Sequence, residues 1–197
     1  MKKHYTAGIL ALAILIGSCK KDDSSANSSK LQGNYIFKGM TAKTSSTIIA
    51  EDGEKMVTTS EYNTTDNTGT VVWGGSMLSS QGLSYTINST IKYSEYSGDE
   101  LIDSFSIPFS YSLPSTNSAA TYKLIGADSI SFTSGFLTSG TDLSGATDIA
   151  PSGGRYSFSD NQLTITQHAS KDSTFEDSGI TYIMNETVTG SILLEKQ

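Results

Sequence analysis

Few residue types in this 197-residue chain could do covalent chemistry. There is one cysteine, Cys19, and two histidines, of which His168 lies in the body of the sequence, in Thr166-Gln167-His168-Ala169-Ser170. A serine hydrolase needs an imidazole base held by an acid and a serine on a strained turn. Ser and Thr supply 57 residues, so hydroxyls near His168 are expected by abundance alone. No Gly-x-Ser-x-Gly elbow is present. A single histidine cannot build an ordinary zinc or iron site, and one cysteine excludes an intramolecular disulfide framework or a thiolate cluster. The acidic runs Glu51-Asp52-Gly53-Glu54 and Asn63-Thr64-Thr65-Asp66-Asn67 lack calcium-loop spacing and read as turns. No glycine-rich phosphate loop appears. The expectation is a protein without cofactor, metal or catalytic residues, and not an enzyme.

Cys19 remains, and its setting is informative. Lys2 and Lys3 precede the apolar run Ile9-Leu10-Ala11-Leu12-Ala13-Ile14-Leu15-Ile16. That run is well short of the roughly 20 apolar residues a spanning helix needs, and it suits a signal-peptide core. It ends in Ile16-Gly17-Ser18-Cys19, which resembles the bacterial lipoprotein signal: an aliphatic residue, two small ones and a cysteine. The resemblance implies that residues 1–18 are removed and that Cys19 carries acyl chains. Several acyl chains, at about 0.8 kcal/mol per buried methylene, anchor a protein in effect permanently.

Removing residues 1–18 takes away Lys2 and Lys3 and no acid, so the formal charge moves from −7 to −9. An acidic body argues against a nucleic-acid partner. It also gains nothing from anionic headgroups, so the membrane is held through the acyl chains. Residues 19–30 are polar and without periodicity, a flexible tether. The opening Cys19-Lys20-Lys21-Asp22-Asp23 resembles lipoproteins of the Bacteroidetes group, in which such charges direct export to the outer leaflet. Read as a plain spacer, it leaves the body facing the periplasm. The expected location is the outer membrane, lipid-anchored, with the cell surface as one of its two faces.

From Leu31 to the end the dominant period is two. Tyr85, Ile87, Ile91 and Tyr93 alternate with polar residues, as do Phe105, Ile107, Phe109, Tyr111 and Leu113. These are half-buried antiparallel strands, joined at Ser97-Gly98-Asp99. Pro108 has no N–H for a ladder, so its strand lies at an edge or carries a bulge. Gly126-Ala127-Asp128 and Asp160-Asn161 mark two further hairpins. Tyr35/Phe37, Ile48/Ile49, Met56/Val57, Val71-Val72-Trp73, Ile180/Tyr182/Met184 and Val188/Ile192/Leu194 mark other strands. Residues 76–82 could hold a short helical turn. Residues 59–69 and 134–153 read as long loops. The fold expected for 31–197 is all-β, an antiparallel up-and-down barrel of about eight to ten strands, with a β-sandwich as the alternative. A membrane-spanning barrel is disfavoured because aromatic girdles are missing.

Leu31-Gln32-Gly33-Asn34-Tyr35 is similar to the Gly-x-Trp opening of lipocalins and of lipocalin-like Bacteroidetes lipoprotein domains. The run from Tyr156 to Ile165 and the final Gly190-Ser191-Ile192-Leu193-Leu194 look like the same domain. The resemblance implies a calycin-type barrel whose relatives often hold a small apolar ligand. Tyr35, Phe37, Tyr85, Ile87, Phe105, Ile107, Phe109 and Tyr111 are then the candidate pocket liners for a small apolar or amphipathic ligand. The other expectation is a surface structural or interaction module that works through its loops.

Overall fold

The computed structural model describes residues 29–132 and 152–197. Its eight strands are β1 (Gly33–Ala50), β2 (Glu54–Trp73), β3 (Met77–Ser97), β4 (Glu100–Ile125), β5 (Ser129–Phe132), β6 (Ser152–Ser159), β7 (Gln162–Asp177) and β8 (Ile180–Lys196). Each pairs antiparallel with the next, and β1 pairs with β8, so hydrogen bonds run around a closed ring. The all-β up-and-down barrel expected from the two-residue period is therefore present, at the lower end of the expected strand number, and it is compatible with a calycin-like fold.

Turn chemistry places the hairpins. Gly98 takes a left-handed φ of 62° between β3 and β4, and Gly126 takes 63° between β4 and β5. Between β7 and β8 both Ser178 and Gly179 have positive φ, the conformation a tight hairpin demands. The hairpins at 97–99, 126–128 and 160–161 fall where the turn residues indicated.

The ring is uneven in height. β5 has 4 residues and β6 has 8, whereas β2, β3 and β4 have 20, 21 and 26. At about 3.3 Å per residue, β5 reaches roughly 13 Å and β2 roughly 66 Å. β4 pairs with β5 only over Tyr122–Ile125, and β7 pairs with β6 only over Gln162–Gln167. Above that level the six long strands form an open sheet. Its edges, among the described residues, are β4 from Glu100 to Ala120 and β7 from His168 to Asp177. Pro108 faces Thr90 in an unbroken register with β3, so its missing N–H falls on the open side of β4. The expected edge position is what the ladder shows.

The core fills the low part of the ring. Tyr35, Trp73, Leu78, Tyr122, Ile130, Phe132, Leu163, Ile165 and Leu194 are buried there. Trp73 packs edge-on against Tyr122 at 5.0 Å between centroids. The chain before β1 closes this end: residues 29–31 are helical, Leu31 is fully buried, and the Tyr35 hydroxyl donates to its carbonyl at 3.0 Å. Lys196 caps the same place, its ammonium 5.8 Å above the Tyr35 ring and donating to the Lys30 carbonyl at 3.2 Å.

Two sequence expectations change. Residues 59–69 are not a loop but the middle of β2, where threonines suit a pleated surface. Their polar groups bond a neighbouring strand: the Met40 amide donates to Thr64 Oγ1 at 2.8 Å, and Asn67 Nδ2 donates to the Lys38 carbonyl at 3.0 Å. Residues 76–82 hold no helical turn, because Met77 onward enters β3 and pairs with both β2 and β4. The long loop at 134–153 lies outside the described residues except for Ser152 and Gly153, which begin β6.

Candidate functional site

Register decides which side chains share the inner face. Tyr85, Ile87, Ser89, Ile91 and Tyr93 of β3 stand opposite Leu113, Tyr111, Phe109, Ile107 and Phe105 of β4. Tyr85 and Ile87 are buried in the core, so the whole row points inward. The other parity is polar: Thr86, Asn88, Thr90, Lys92 and Ser94 lie opposite Ser112, Ser110, Pro108, Ser106 and Ser104. On the facing strands Lys43 stands opposite Glu61, again on the outer face. A lipid-spanning barrel carries its apolar residues outward and its polar ones inward. This ring does the reverse. Among the described residues no helix is long and apolar enough to cross a membrane.

The eight predicted pocket residues all lie on the inner face, but the structure divides them. Tyr35, Phe37, Tyr85 and Ile87 are buried among the side chains that fill the low part of the ring. Phe37 and Tyr85 touch there, with centroids 6.1 Å apart. Phe109 is half-buried against that core. Phe105, Ile107 and Tyr111 stand higher, where no strand among the described residues faces them, and are 46%, 45% and 37% exposed. Tyr93 stacks on Phe105 at 4.8 Å with the planes 14° apart. The result is a packed floor below an apolar wall formed by β3 and β4. Tyr93 and Ile91 belong to this wall although neither was among the eight. Their alternation with Thr90 and Lys92 was the signal for them.

Around the ring the inner face is mixed, with Ile48 opposite Met56 and Met184, and Thr44 opposite Val188, among polar pairs. Ser60 stands opposite Thr44, Thr58 opposite Ser46, and Lys171 opposite Glu186. A second aromatic stack, Phe175 on Tyr182 at 5.1 Å, lies on the β7–β8 side. A ligand on the β3–β4 wall would therefore meet an apolar surface on one side and a mixture of hydroxyls and apolar side chains on the other.

Two tyrosines have the most strongly raised hydroxyls. Burial, and next the neighbouring Tyr85, push the Tyr62 hydroxyl up to about 12; burial and then Tyr111 do the same for Tyr85. Both stay protonated near neutrality and can donate. His168 is exposed on the outer face, where its Nδ1 lies 3.0 Å from Thr189 Oγ1. Among the described residues no three His, Cys, Asp or Glu side chains come together as metal ligands. A hollow of about 590 Å³ opens elsewhere, between Ser79-Ser80-Gln81 and Asn117-Ser118-Ala119. It is mouth-like and lined by small polar groups, with Ser80 Oγ bonded to Ser118 Oγ at 2.9 Å.

Comparison with family models, with curated proteins and with solved structures found no match for this chain. The chemistry of the wall itself therefore carries the functional argument. Cys19, the residue expected to be lipidated, lies outside the described residues.

Proposed function

We propose that this chain is a lipid-anchored lipoprotein of the outer membrane, non-enzymatic, whose barrel binds or presents a small apolar or amphipathic ligand on the β3–β4 wall. One observation carries the ligand reading: Phe105, Ile107 and Tyr111 form a contiguous, solvent-open apolar row on the inner face of a ring whose outer face is polar. Burying such side chains against a ligand is worth about 25 cal/mol per Å², and contiguous exposed apolar surface marks binding sites. The anchor rests on the Ile16-Gly17-Ser18-Cys19 sequence.

Two measurements test the two halves. Native mass spectrometry of the Cys19→Ser chain, purified gently, should show a discrete added mass that is lost on delipidation and restored by one lipid class. A clean mass that no fatty acid or lipid shifts would end the ligand reading. In a bacterial host, labelled palmitate should enter the wild-type chain and not the Cys19→Ser chain.

A second reading, a surface interaction module, draws on Leu101 and Ile102 near the tip of the β3–β4 hairpin, 52% and 63% exposed. It expects Leu101→Ser with Ile102→Ser to abolish partner capture and leave the ligand mass unchanged.

A further inference from the structure

Three buried tyrosines of the floor satisfy their hydroxyl with a backbone carbonyl. Tyr35 donates to Leu31 at 3.0 Å, Tyr122 to Gly74 at 2.6 Å and Tyr156 to Ala127 at 3.0 Å. Tyr62 does not. It is 7% exposed, and its hydroxyl is buried with no hydrogen-bond partner among the described residues. Its inner-face neighbours along β2 are satisfied: Ser60 Oγ lies 3.2 Å from Ser89 Oγ, and Thr64 Oγ1 accepts from the Met40 amide. A buried donor left unpaired costs free energy and calls for an explanation, such as a group missing from the site. Trp73 Nε1 is also unpaired, but it lies in the packed floor between Tyr122 and Phe132. Tyr62 is placed differently. It sits where floor gives way to wall, between the β2–β3 pairs Thr59–Lys92 and Thr64–Ile87, on a level with Ser89, which stands opposite Phe109.

We propose that Tyr62 is the polar end of the ligand site. Its hydroxyl donates to a neutral acceptor oxygen, of carbonyl, ester or ether type, on an amphipathic molecule whose apolar body lies along Ile91, Phe105, Ile107 and Tyr111. The acceptor is neutral because no cation among the described residues shares that level of the inner face: the ladder from Tyr62 runs through Ala42 and Gly190 to Gln167. Lys171, further up β7, already stands opposite Glu186. A carboxylate beside Tyr62 would lose its water with no counter-charge in exchange.

This inference rests on the ligand-binding reading above, and the test separates the two. The full chain is titrated with 2-propylnaphthalene and with 2-propionylnaphthalene, matched in shape and differing by one carbonyl, and fluorescence is followed. Both should bind, the ketone about fivefold more tightly, the worth of one ordinary hydrogen bond. Tyr62→Phe should abolish that preference, keep hydrocarbon binding and leave the thermal midpoint unchanged or raised. Phe105→Ala should weaken both probes by the same factor. Equal affinity of the wild type for the two probes, or a preference that survives in Tyr62→Phe, overturns the inference and leaves the wall standing. Binding of neither probe overturns the wall reading and the inference with it.

Discussion

The ring of Tyr93 lies flat against that of Phe105, centroids 4.8 Å apart, across the unsupported upper part of β3 and β4. A stack in the open contributes less to folding than one in a core, because most of its apolar surface stays wet. Phe105→Ala is therefore expected to cost about 1 kcal/mol or less. Trp73→Ala, which empties the floor between Tyr122 and Phe132, should cost about 3–5 kcal/mol. Urea unfolding of the two variants checks the contrast. Equal losses would mean that the upper sheet is packed by something the wall reading leaves out.

The bulge that bends β2 depends on Gly69. Its φ is 111°, and a Cβ there would meet Leu83 Cα at 2.7 Å and the Gly82 carbonyl oxygen at 2.8 Å. Backbone cannot yield as a side-chain tip can. Gly69→Ala should destabilise the protein by about 3 kcal/mol, from strain plus overpacking. Gly98→Ala, at a hairpin with nothing within 4 Å, should cost about 1 kcal/mol. Thermal midpoints of the pair measure the difference.

Alkaline pH should unfold the protein through its buried tyrosines. Tyr62 and Tyr85 titrate near 12 when folded, against an ordinary 10. A raised folded value means that their contribution is complete below pH 10 and is lost as pH rises from there to about 12. Stability should fall across that window. Phenolate absorbance should show these two ionising late or together with unfolding. Tyr62→Phe should flatten part of the fall.

At the acid end the effect is smaller and opposite in sign. Lys38 Nζ lies 3.0 Å from Glu195 Oε2 across β1 and β8. The Lys38 hydrogen bond, and then its charge, hold Glu195 below the ordinary glutamate value. A lowered folded value contributes stability above that ordinary value, lost as pH falls through the folded one. The pair is exposed, so salt should screen it. Melting curves of Lys38→Met against pH should lose this acid limb while keeping the alkaline one.

Much of the ring was legible because local rules and global fold agree. The strict alternation at Phe105–Leu113, and that at Tyr85–Tyr93 with Ser89 as its single break, demands one wet face and one dry face, and Gly98-Asp99 between them permits only a tight return. Period two and turn residues are properties of a few consecutive positions, so sequence expresses them directly. Residues 59–69 were illegible for the opposite reason. Thr64 and Asn67 look like loop residues until Met40 and Lys38, on another strand, supply their partners.

The resemblance of Ile16-Gly17-Ser18-Cys19 to a lipoprotein signal and the all-β class are both read from the amino-acid order alone. Which of the eight inner residues are core and which are wall does not. Phe105 and Ile87 obey the same alternation, yet one is exposed and the other buried. The difference is that β5 pairs with β4 only over Tyr122–Ile125, so among the described residues the upper part of β4 has no strand across from it. Burial depends on what stands opposite in space, and strand pairing alone decides that. The unpaired hydroxyl of Tyr62 has the same origin: its sequence neighbours are polar, and only ring closure shuts it away from water.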